Sequence, residues 1–175
     1  TFTVAPVRRA DVERVEIAGS EAIQADVLLG LVQTRERRLL RGAPFITSVW
    51  QQDQRAVLAH YRRNGFLQAR VVEAPVTRDQ ELGGLRASMI IDEGERTVVN
   101  QMIIATRGRL SDYGVDDSGW AGALRTRSGG PFDPEAVRQD GTRLRILLAN
   151  QGFPRAQVLS EVEETDDPYS VGVSF

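Results

Sequence analysis

Few of the 175 residues carry side chains that usually do chemistry in enzymes. Cysteine is absent, which excludes disulfides, thiolate metal sites and cysteine nucleophiles. The one histidine, His60, lies in an arginine-rich segment and has no cysteine or second histidine with which to bind a metal ion. Neither a Gly-x-Ser-x-Gly turn nor a glycine-rich loop ending in Gly-Lys occurs. These features predict a protein that is not an enzyme and that uses neither metal nor cofactor.

Two acidic pairs and one basic cluster are the remaining candidates. Asp116-Asp117 and Asp166-Asp167 stand near glycine or proline, where turn formation accounts for aspartate. The basic cluster consists of Arg35, Arg37, Arg38 and Arg41. It lies near the predicted end of a helix, which favours either solvation at the helix C-terminus or contact with lipid headgroups. The net charge is -2, so no electrostatic argument favours nucleic-acid binding.

The elements that hold these residues occur twice, because the sequence contains an internal repeat. Gly42-Ala43-Pro44-Phe45 recurs as Gly129-Gly130-Pro131-Phe132, at an offset of 87 residues (129−42). Gly65-Phe66 recurs as Gly152-Phe153 at the same offset (152−65). Two independent matches at one offset indicate two copies of one structural unit.

Each copy predicts two helices. The longer one lies between the two repeated motifs, where apolar residues such as Trp50, Val57 and Tyr61 recur on one stripe. Asp133-Pro134 is a typical helix start in the second copy, and a glycine ends the helix in both copies. A shorter first helix is predicted at 23–31 and, more weakly, around Ala121 and Leu124.

Each copy also predicts three strands with alternating apolar residues. They are Val15–Ile17, Ala69–Val76 and Leu85–Ile91 in the first copy and Met102–Ile104, Ala156–Val162 and Tyr169–Phe175 in the second. The predicted fold class is therefore α+β, with two tandem β-α-α-β-β modules. In each module, two helices cover one face of a three-stranded sheet.

The ends of the chain suggest a longer array. Phe2 and Val4 lie 87 residues before Met89 and Ile91 (89−2 and 91−4), so the first residues match the last strand of a preceding copy. The predicted division is a remnant strand at 1–6, one module at 7–95 and a second at 96–175.

The order and spacing of several motifs resemble the POTRA (polypeptide-transport-associated) domain. The motifs of the first copy are Ile17-Ala18-Gly19, Asp53, Tyr61-Arg62-Arg63-Asn64-Gly65-Phe66 and Ile91-Asp92-Glu93-Gly94. Those of the second copy are Asp140 and Asn150-Gln151-Gly152-Phe153, with Leu148 where tyrosine is usual. The resemblance covers essentially the whole chain and is to the POTRA regions of BamA/TamA-type outer-membrane protein-assembly factors.

This resemblance implies a periplasmic location and a tether to the outer membrane through a C-terminal β-barrel. It implies three classes of partner: unfolded outer-membrane β-barrel proteins, accessory periplasmic lipoproteins and the chain's own barrel. The alternatives are a POTRA module of a two-partner secretion transporter and a periplasmic interaction scaffold such as a division protein. Repeat number discriminates between them, since a remnant of a third copy favours an assembly factor.

A small sheet has edges at which an incoming strand can pair with free N–H and C=O groups. The predicted edge is the strand that follows each Gly-Phe motif, because proline flanks it in both copies at Pro75 and Pro154. The candidate protein-binding residues of the first copy are Gln68, Ala69, Arg70, Val71, Val72 and Glu73. Those of the second copy are Arg155, Ala156, Gln157, Val158, Leu159 and Ser160. The alternative is that these strands are structural and that contacts are made by helices or grooves.

Overall fold

The computed structural model describes residues 11–37, 43–81, 83–106 and 110–175. The predicted remnant strand, Gly42 of the first repeated motif, and Arg38 and Arg41 of the basic cluster lie outside these ranges. The chain forms two compact units. The first holds residues up to Tyr61 together with Gln68–Gly94, and the second holds Arg62–Leu67 together with Glu95–Phe175.

The first unit is built on a sheet with β4 at its centre. Its elements are β1 (Val12–Ala18), α1 (Ala25–Leu31), α2 (Thr47–Arg63), β2 (Arg70–Glu73), β3 (Val76–Arg78) and β4 (Leu85–Asp92). Strand β1 runs parallel to β4 on one side, and β2 and β3 run antiparallel to it on the other.

The alternation of buried and exposed residues along β4 shows which face of the sheet packs against the core of the first unit. Ala87, Met89 and Ile91 are buried, whereas the residues between them are more exposed. The predicted stripe of α2 is confirmed, because Trp50 and Val57 are buried as well. Burial of each large apolar side chain contributes about 1.5–3 kcal/mol, which makes this packing the main stabilising contribution.

The second unit repeats the plan with β7 at its centre. Its elements are β5 (Val98–Ile103), a 3₁₀ turn (Leu110–Tyr113), α3 (Trp120–Ala123), α4 (Pro134–Asn150), β6 (Glu161–Glu164) and β7 (Ser170–Ser174). Strand β7 pairs in parallel with β5 and antiparallel with β6, in the order β5-β7-β6.

Both predicted ends of α4 are confirmed. The carboxylate of Asp133 accepts a hydrogen bond of 2.9 Å from the N–H of Glu135, and Pro134 occupies the first turn, where its missing N–H costs nothing. After the helix, Gly152 has a φ of 96°, a conformation that residues with a Cβ rarely adopt.

The predicted weak first helix of the second copy is also confirmed as a short element. Helix α3 has only four residues. Its first residue, Trp120, and Leu124, which directly follows the helix, are both buried in the core. The buried core of this unit consists of Val99, Val115, Trp120, Leu124, Phe132, Val137, Leu144, Val171, Val173 and Phe175. A helix of four residues is stable here because packing, not helix propensity, holds it.

The α+β fold with two tandem repeats is confirmed, but two predicted strands need correction. The strand predicted at Ala69–Val76 is divided into β2 and β3, which gives the first sheet four strands instead of three. Pro75 lies at the break, and proline has no N–H with which to continue the ladder.

The strand predicted at Ala156–Val162 lies later in the chain, at β6. In the observed antiparallel register Glu161 pairs with Ser174 and Glu164 pairs with Val171. Residues 156–159 have an alternating apolar pattern, but they form no strand in the structure.

None of the helices in the described ranges reaches the length and apolarity that crossing a lipid bilayer requires.

Candidate strand-binding edges

The outer edge of β1 is closed by the loop that connects α1 to α2. The N–H of Val12 donates to the carbonyl oxygen of Ala43, and the carbonyl oxygen of Val12 accepts from the N–H of Arg37, both at 2.7 Å. Further along, the N–H of Val15 donates to the Glu36 carboxylate at 3.0 Å. Glu36, Arg37 and Ala43 form what we call the first strap, which occupies the place of an additional strand.

The outer edge of β5 is closed in the same way. The N–H of Val99 donates to the carbonyl oxygen of Gly130 at 2.9 Å, and the carbonyl oxygen of Val99 accepts from the N–H of Gly129 at 2.7 Å. The N–H of Met102 donates to the Ser128 hydroxyl at 2.9 Å. Ser128, Gly129 and Gly130 form the second strap.

The two straps bind equivalent backbone groups. Val12 and Val99 lie 87 positions apart (99−12), as do Val15 and Met102 (102−15). The side chain that caps the second N–H is a carboxylate in one unit and a hydroxyl in the other. The repeat therefore preserves closure of this edge while it changes the chemistry of the cap.

The opposite edge of each sheet is open. Strands β2 and β6 end their sheets, and within the described ranges the only backbone hydrogen bonds that reach them come from their neighbours β4 and β7. An edge of this kind presents unpaired N–H and C=O groups to an incoming strand. Each unit therefore combines one strapped edge with one open edge.

The residues predicted for the first edge, Gln68–Glu73, lie on or directly before β2. The side chain of Val72 is 54% exposed, and a β-bulge between Val71 and Glu73 leaves it without a partner on β4. The guanidinium of Arg70 donates to the Asp92 carboxylate at 2.7 Å, and this contact holds the pKa of Asp92 below its usual range.

The residues predicted for the second edge, Arg155–Ser160, precede β6 and form no strand. They run beside α4, where Ser160 approaches Gly141 so closely that a Cβ on the glycine would lie 2.6 Å from the serine hydroxyl. Two grooves border this segment, one of about 550 Å³ against α4 and one of about 650 Å³ lined by apolar residues. Leu159 is 71% exposed beside the second groove.

The edge strand itself has a different chemistry in the second unit. Strand β6 reads Glu161-Val162-Glu163-Glu164, and all four residues are exposed. Strand β2 reads Arg70-Val71-Val72-Glu73, with one basic and one acidic residue. The two open edges therefore share their place in the sheet but not their charge.

The other candidates from the sequence have local structural roles. The hydroxyl of Ser118 first, and its backbone N–H next, hydrogen-bond to the carboxylate of Asp116 and hold the pKa of Asp116 below its usual range. The carboxylate of Asp167 accepts from the N–H of Tyr169. Both acidic pairs thus stabilise turns, as predicted. Within the described ranges no group of three or more histidine and acidic side chains lies close enough to hold a metal ion.

The basic cluster was predicted near the end of the first helix, and its described members Arg35 and Arg37 lie in the loop that follows α1. Helix α1 ends at Leu31, and its last turn has no basic residue. Arg37 is part of the first strap, and its guanidinium lies 3.2 Å from Glu13 and 3.8 Å from Asp11. The straps were not predicted, because loop residues that donate backbone N–H groups leave no side-chain signature in a sequence.

The first unit also holds its last strand by a polar contact at the end of β4. The hydroxyl of Tyr61, which is fully buried, donates to Glu93 at 2.8 Å, and the same carboxylate accepts from the N–H of Ala22. Burial first, and the hydrogen bond to Glu93 next, raise the pKa of Tyr61. Leu148 stands at the equivalent position of the second unit (148−61 = 87), partly buried against its core.

Two α+β repeats, each with helices on one face of a small sheet, define the class of this protein. The family model described as "POTRA: Surface antigen variable number repeat" matches residues 10–94 and 111–175. The chain therefore belongs to the POTRA family.

The chain is also similar in sequence to an individual curated protein. The chain is 27% identical over 115 residues to a protein of Treponema pallidum (strain Nichols) named "Putative outer membrane protein assembly factor". The aligned region covers 60% of this chain and only 14% of that protein.

Two crystal structures show the same fold. BamA POTRA3-5 of Haemophilus influenzae matches with a TM-score of 0.56 and 17% identity, over 97% of this chain and 68% of that one. BamA of Haemophilus ducreyi lacking POTRA domains 1-3 matches with a TM-score of 0.59 and 17% identity, over 94% of this chain and 28% of that one.

Proposed function

We propose that this chain is a periplasmic region of an outer-membrane protein-assembly factor and that it binds unfolded β-barrel precursors as added strands. The observation that carries the proposal is the pair of open edges, β2 and β6, each opposite a strapped edge. Membership of the POTRA family and the name of the Treponema relative support the class of protein. Pairing through the main chain does not depend on the side chains of the client, which suits a receptor for many precursors.

The proposed binding residues are the predicted ones together with β6. In the first unit they are Gln68–Glu73, where the exposed Val72 offers both a free backbone position and an apolar contact. In the second unit they are Arg155–Ser160 and β6, and the two grooves beside Arg155–Ser160 offer space for alternate side chains of a client. The chemistry required of these sites is binding without catalysis.

Further partners belong to the same proposal. Accessory periplasmic lipoproteins would dock on the repeats, and a C-terminal outer-membrane barrel would keep them at the membrane. The support for these partners is the resemblance to assembly factors.

The experiment compares two substitutions at Val72. Val72→Pro removes the N–H of an exposed bulge residue, whereas Val72→Thr keeps both the N–H and the branched shape. The probe is a synthetic peptide of about ten alternating apolar and polar residues, the pattern of a barrel strand. We expect the peptide to perturb the amide NMR signals of β2 in the wild type, and its affinity to fall at least several-fold in Val72→Pro.

Val72→Thr should bind the peptide as the wild type does. Circular dichroism of both variants checks that the fold is retained. Equal affinities for the wild type and a folded Val72→Pro variant would exclude β2 as the binding edge, and perturbations confined to the helices would favour a groove instead.

A further inference from the structure

Asp53 and Asp140 are buried carboxylates at equivalent positions of the two units (140−53 = 87). Their exposed fractions are 1% and 0%, and each lies on the long helix of its unit. Charged groups are rarely buried so completely, because loss of hydration costs several kcal/mol unless hydrogen bonds replace it. Neither residue touches an open edge, so strand addition does not explain them.

In the first unit the carboxylate anchors the beginning of the loop that forms the strap. One oxygen of Asp53 accepts from the N–H of Gln33 at 2.7 Å. The other oxygen accepts from the N–H of Thr34 at 2.9 Å and from its hydroxyl. Glu36 of the first strap follows two residues later.

In the second unit the same contacts recur. Asp140 accepts from the N–H of Arg125 at 2.9 Å and from the N–H of Thr126 at 2.7 Å. Ser128 of the second strap again follows two residues later. The guanidinium of Arg143 lies 3.5 Å from the carboxylate, at the limit of a hydrogen bond.

The hydrogen bond between the aspartate and the threonine N–H is present in both units, although the loop lengths around it differ. Thr34 and Thr126 lie 92 positions apart (126−34), whereas the aspartates lie 87 apart. Compared with the first copy, the second copy therefore has five more residues before its anchored threonine. It has five fewer residues between that threonine and the proline of the repeated motif, which is Pro44 in the first copy and Pro131 in the second. In spite of this shift, a threonine N–H meets the carboxylate in both units, two residues before the cap of the strapped edge.

We propose that Asp53 and Asp140 are positioning residues that latch the straps and so leave each sheet with a single edge for strand addition. The hydrogen bonds of the two aspartates are independent of the proposed function; only the effect of the latch on strand addition rests on that function. Without the latch, the loop loses the charge-assisted hydrogen bonds that fix its start, and the strap exchanges between a closed and an open state. The open state exposes β1 or β5 to the same extended segments that β2 and β6 take.

The experiment measures amide hydrogen exchange in the full chain, with Asp53→Asn as the variant. Asparagine keeps the shape of the side chain, but its NH₂ group cannot accept the N–H bonds of the loop. Exchange at Val12, Val15 and Arg37, whose N–H groups form the first strap, should accelerate on the order of tenfold to a hundredfold. Exchange at Met89 and Ile91 of β4 should change much less.

Asp79→Asn is the matched control. Asp79 is another buried carboxylate of the first unit, 2% exposed, and it accepts from Arg86 and from the N–H of Glu81 at the turn before β4. These bonds hold the turn before β4, so we expect the substitution of Asp79 to weaken the unit without releasing the latch. Strap amides that accelerate relative to β4 in Asp53→Asn but not in Asp79→Asn support the proposal.

Other outcomes overturn it. Equal acceleration of strap and β4 amides in Asp53→Asn means that the aspartate only stabilises the fold, and unchanged strap amides mean that it does not latch. Should Asp53→Asn fail to fold, Thr34→Val removes one of the three bonds and must still accelerate strap amides selectively. Asp140→Asn repeats the test at Val99 and Met102.

A second measurement connects the latch to function. The strand peptide should perturb β2 and β6 amides in the wild type, and β1 amides as well in Asp53→Asn. If the wild type binds no peptide, strand addition fails while the exchange data still decide on the latch. If the variant exchanges as expected but takes no peptide at β1, the latch exists and its role in limiting strand addition is excluded.

Discussion

The two units use the same backbone contacts and different side chains to make them. The first unit joins Tyr61, Glu93 and the N–H of Ala22 at the end of its central strand, whereas the second has Leu148 in place of the tyrosine. Both units close one edge with a strap, yet a carboxylate caps it in one and a hydroxyl in the other. The difference shows that the edge pattern is maintained while the means of maintaining it vary.

The largest expected effect comes from making the first unit resemble the second. Tyr61→Leu leaves a cavity and removes the hydroxyl donor from Glu93, so the free energy of unfolding should fall by about 2–4 kcal/mol. The measurement is urea unfolding followed by the fluorescence of Trp50, in a Trp120→Phe background that removes the second unit's tryptophan. The matched control is Tyr113→Leu, because Tyr113 is 65% exposed and its loss should change stability little. A cost below 1 kcal/mol for Tyr61→Leu would show that the polar contact is dispensable.

The next effect tests the two latches against each other. The Thr34 hydroxyl donates to Asp53, whereas the Thr126 hydroxyl is buried without a hydrogen-bond partner among the described residues. Thr34→Val should therefore destabilise the first unit by about 1.5–3 kcal/mol, the usual cost of a hydrogen bond to a charged group. Thr126→Val should be neutral or stabilising, because it removes an unsatisfied polar atom. Equal costs in urea unfolding of the two variants would contradict this difference between the latches.

The smallest effect is a pH dependence that belongs to the first unit. An unfolded tyrosine titrates near a pKa of about 10, and the folded pKa of Tyr61 is raised above that. Between the two values the folded state keeps a proton that the unfolded state has lost. The contribution of Tyr61 to the free energy of unfolding is therefore fully present below about pH 10. Above that pH, the free energy of unfolding falls by about 1.4 kcal/mol for each pH unit until the folded pKa is reached.

The chain suits this measurement because it has no lysine and no cysteine. Urea midpoints between pH 9 and 11, followed through Trp50, should fall in the wild type. Tyr61→Phe should remove most of the slope. An unchanged slope in Tyr61→Phe would assign the pH dependence to the other tyrosines.

Much of the fold could be predicted because helix periodicity and repeated motifs are local signals. The stripe of α2, the Asp133 cap of α4 and the alternation of β4 all follow from residues within a few positions of each other. The position of β6 could not be predicted, since residues 156–159 have a strand-like pattern whose pairing depends on distant partners.

The strapped edges were missed for a related reason. Their bonds run mainly between backbone groups, such as the N–H of Val12 and the carbonyl oxygen of Ala43, which every sequence possesses. Asp53 and Asp140 did leave a signal, as acidic residues at the same offset within otherwise apolar helix stripes. Such a pair indicates a buried polar contact, but it does not reveal which loop the carboxylate holds.

On the proposed function, the straps also determine how many strands can pair directly with the chain. Two sheets with both edges free would offer four attachment points, and a pair of such sheets could extend without limit in either direction. Because Val12 and Val99 are already bonded to their own loops, each sheet has one edge at which a strand can pair directly with the chain. On the proposed function we therefore expect at most two strands to pair directly with the chain, one on each unit.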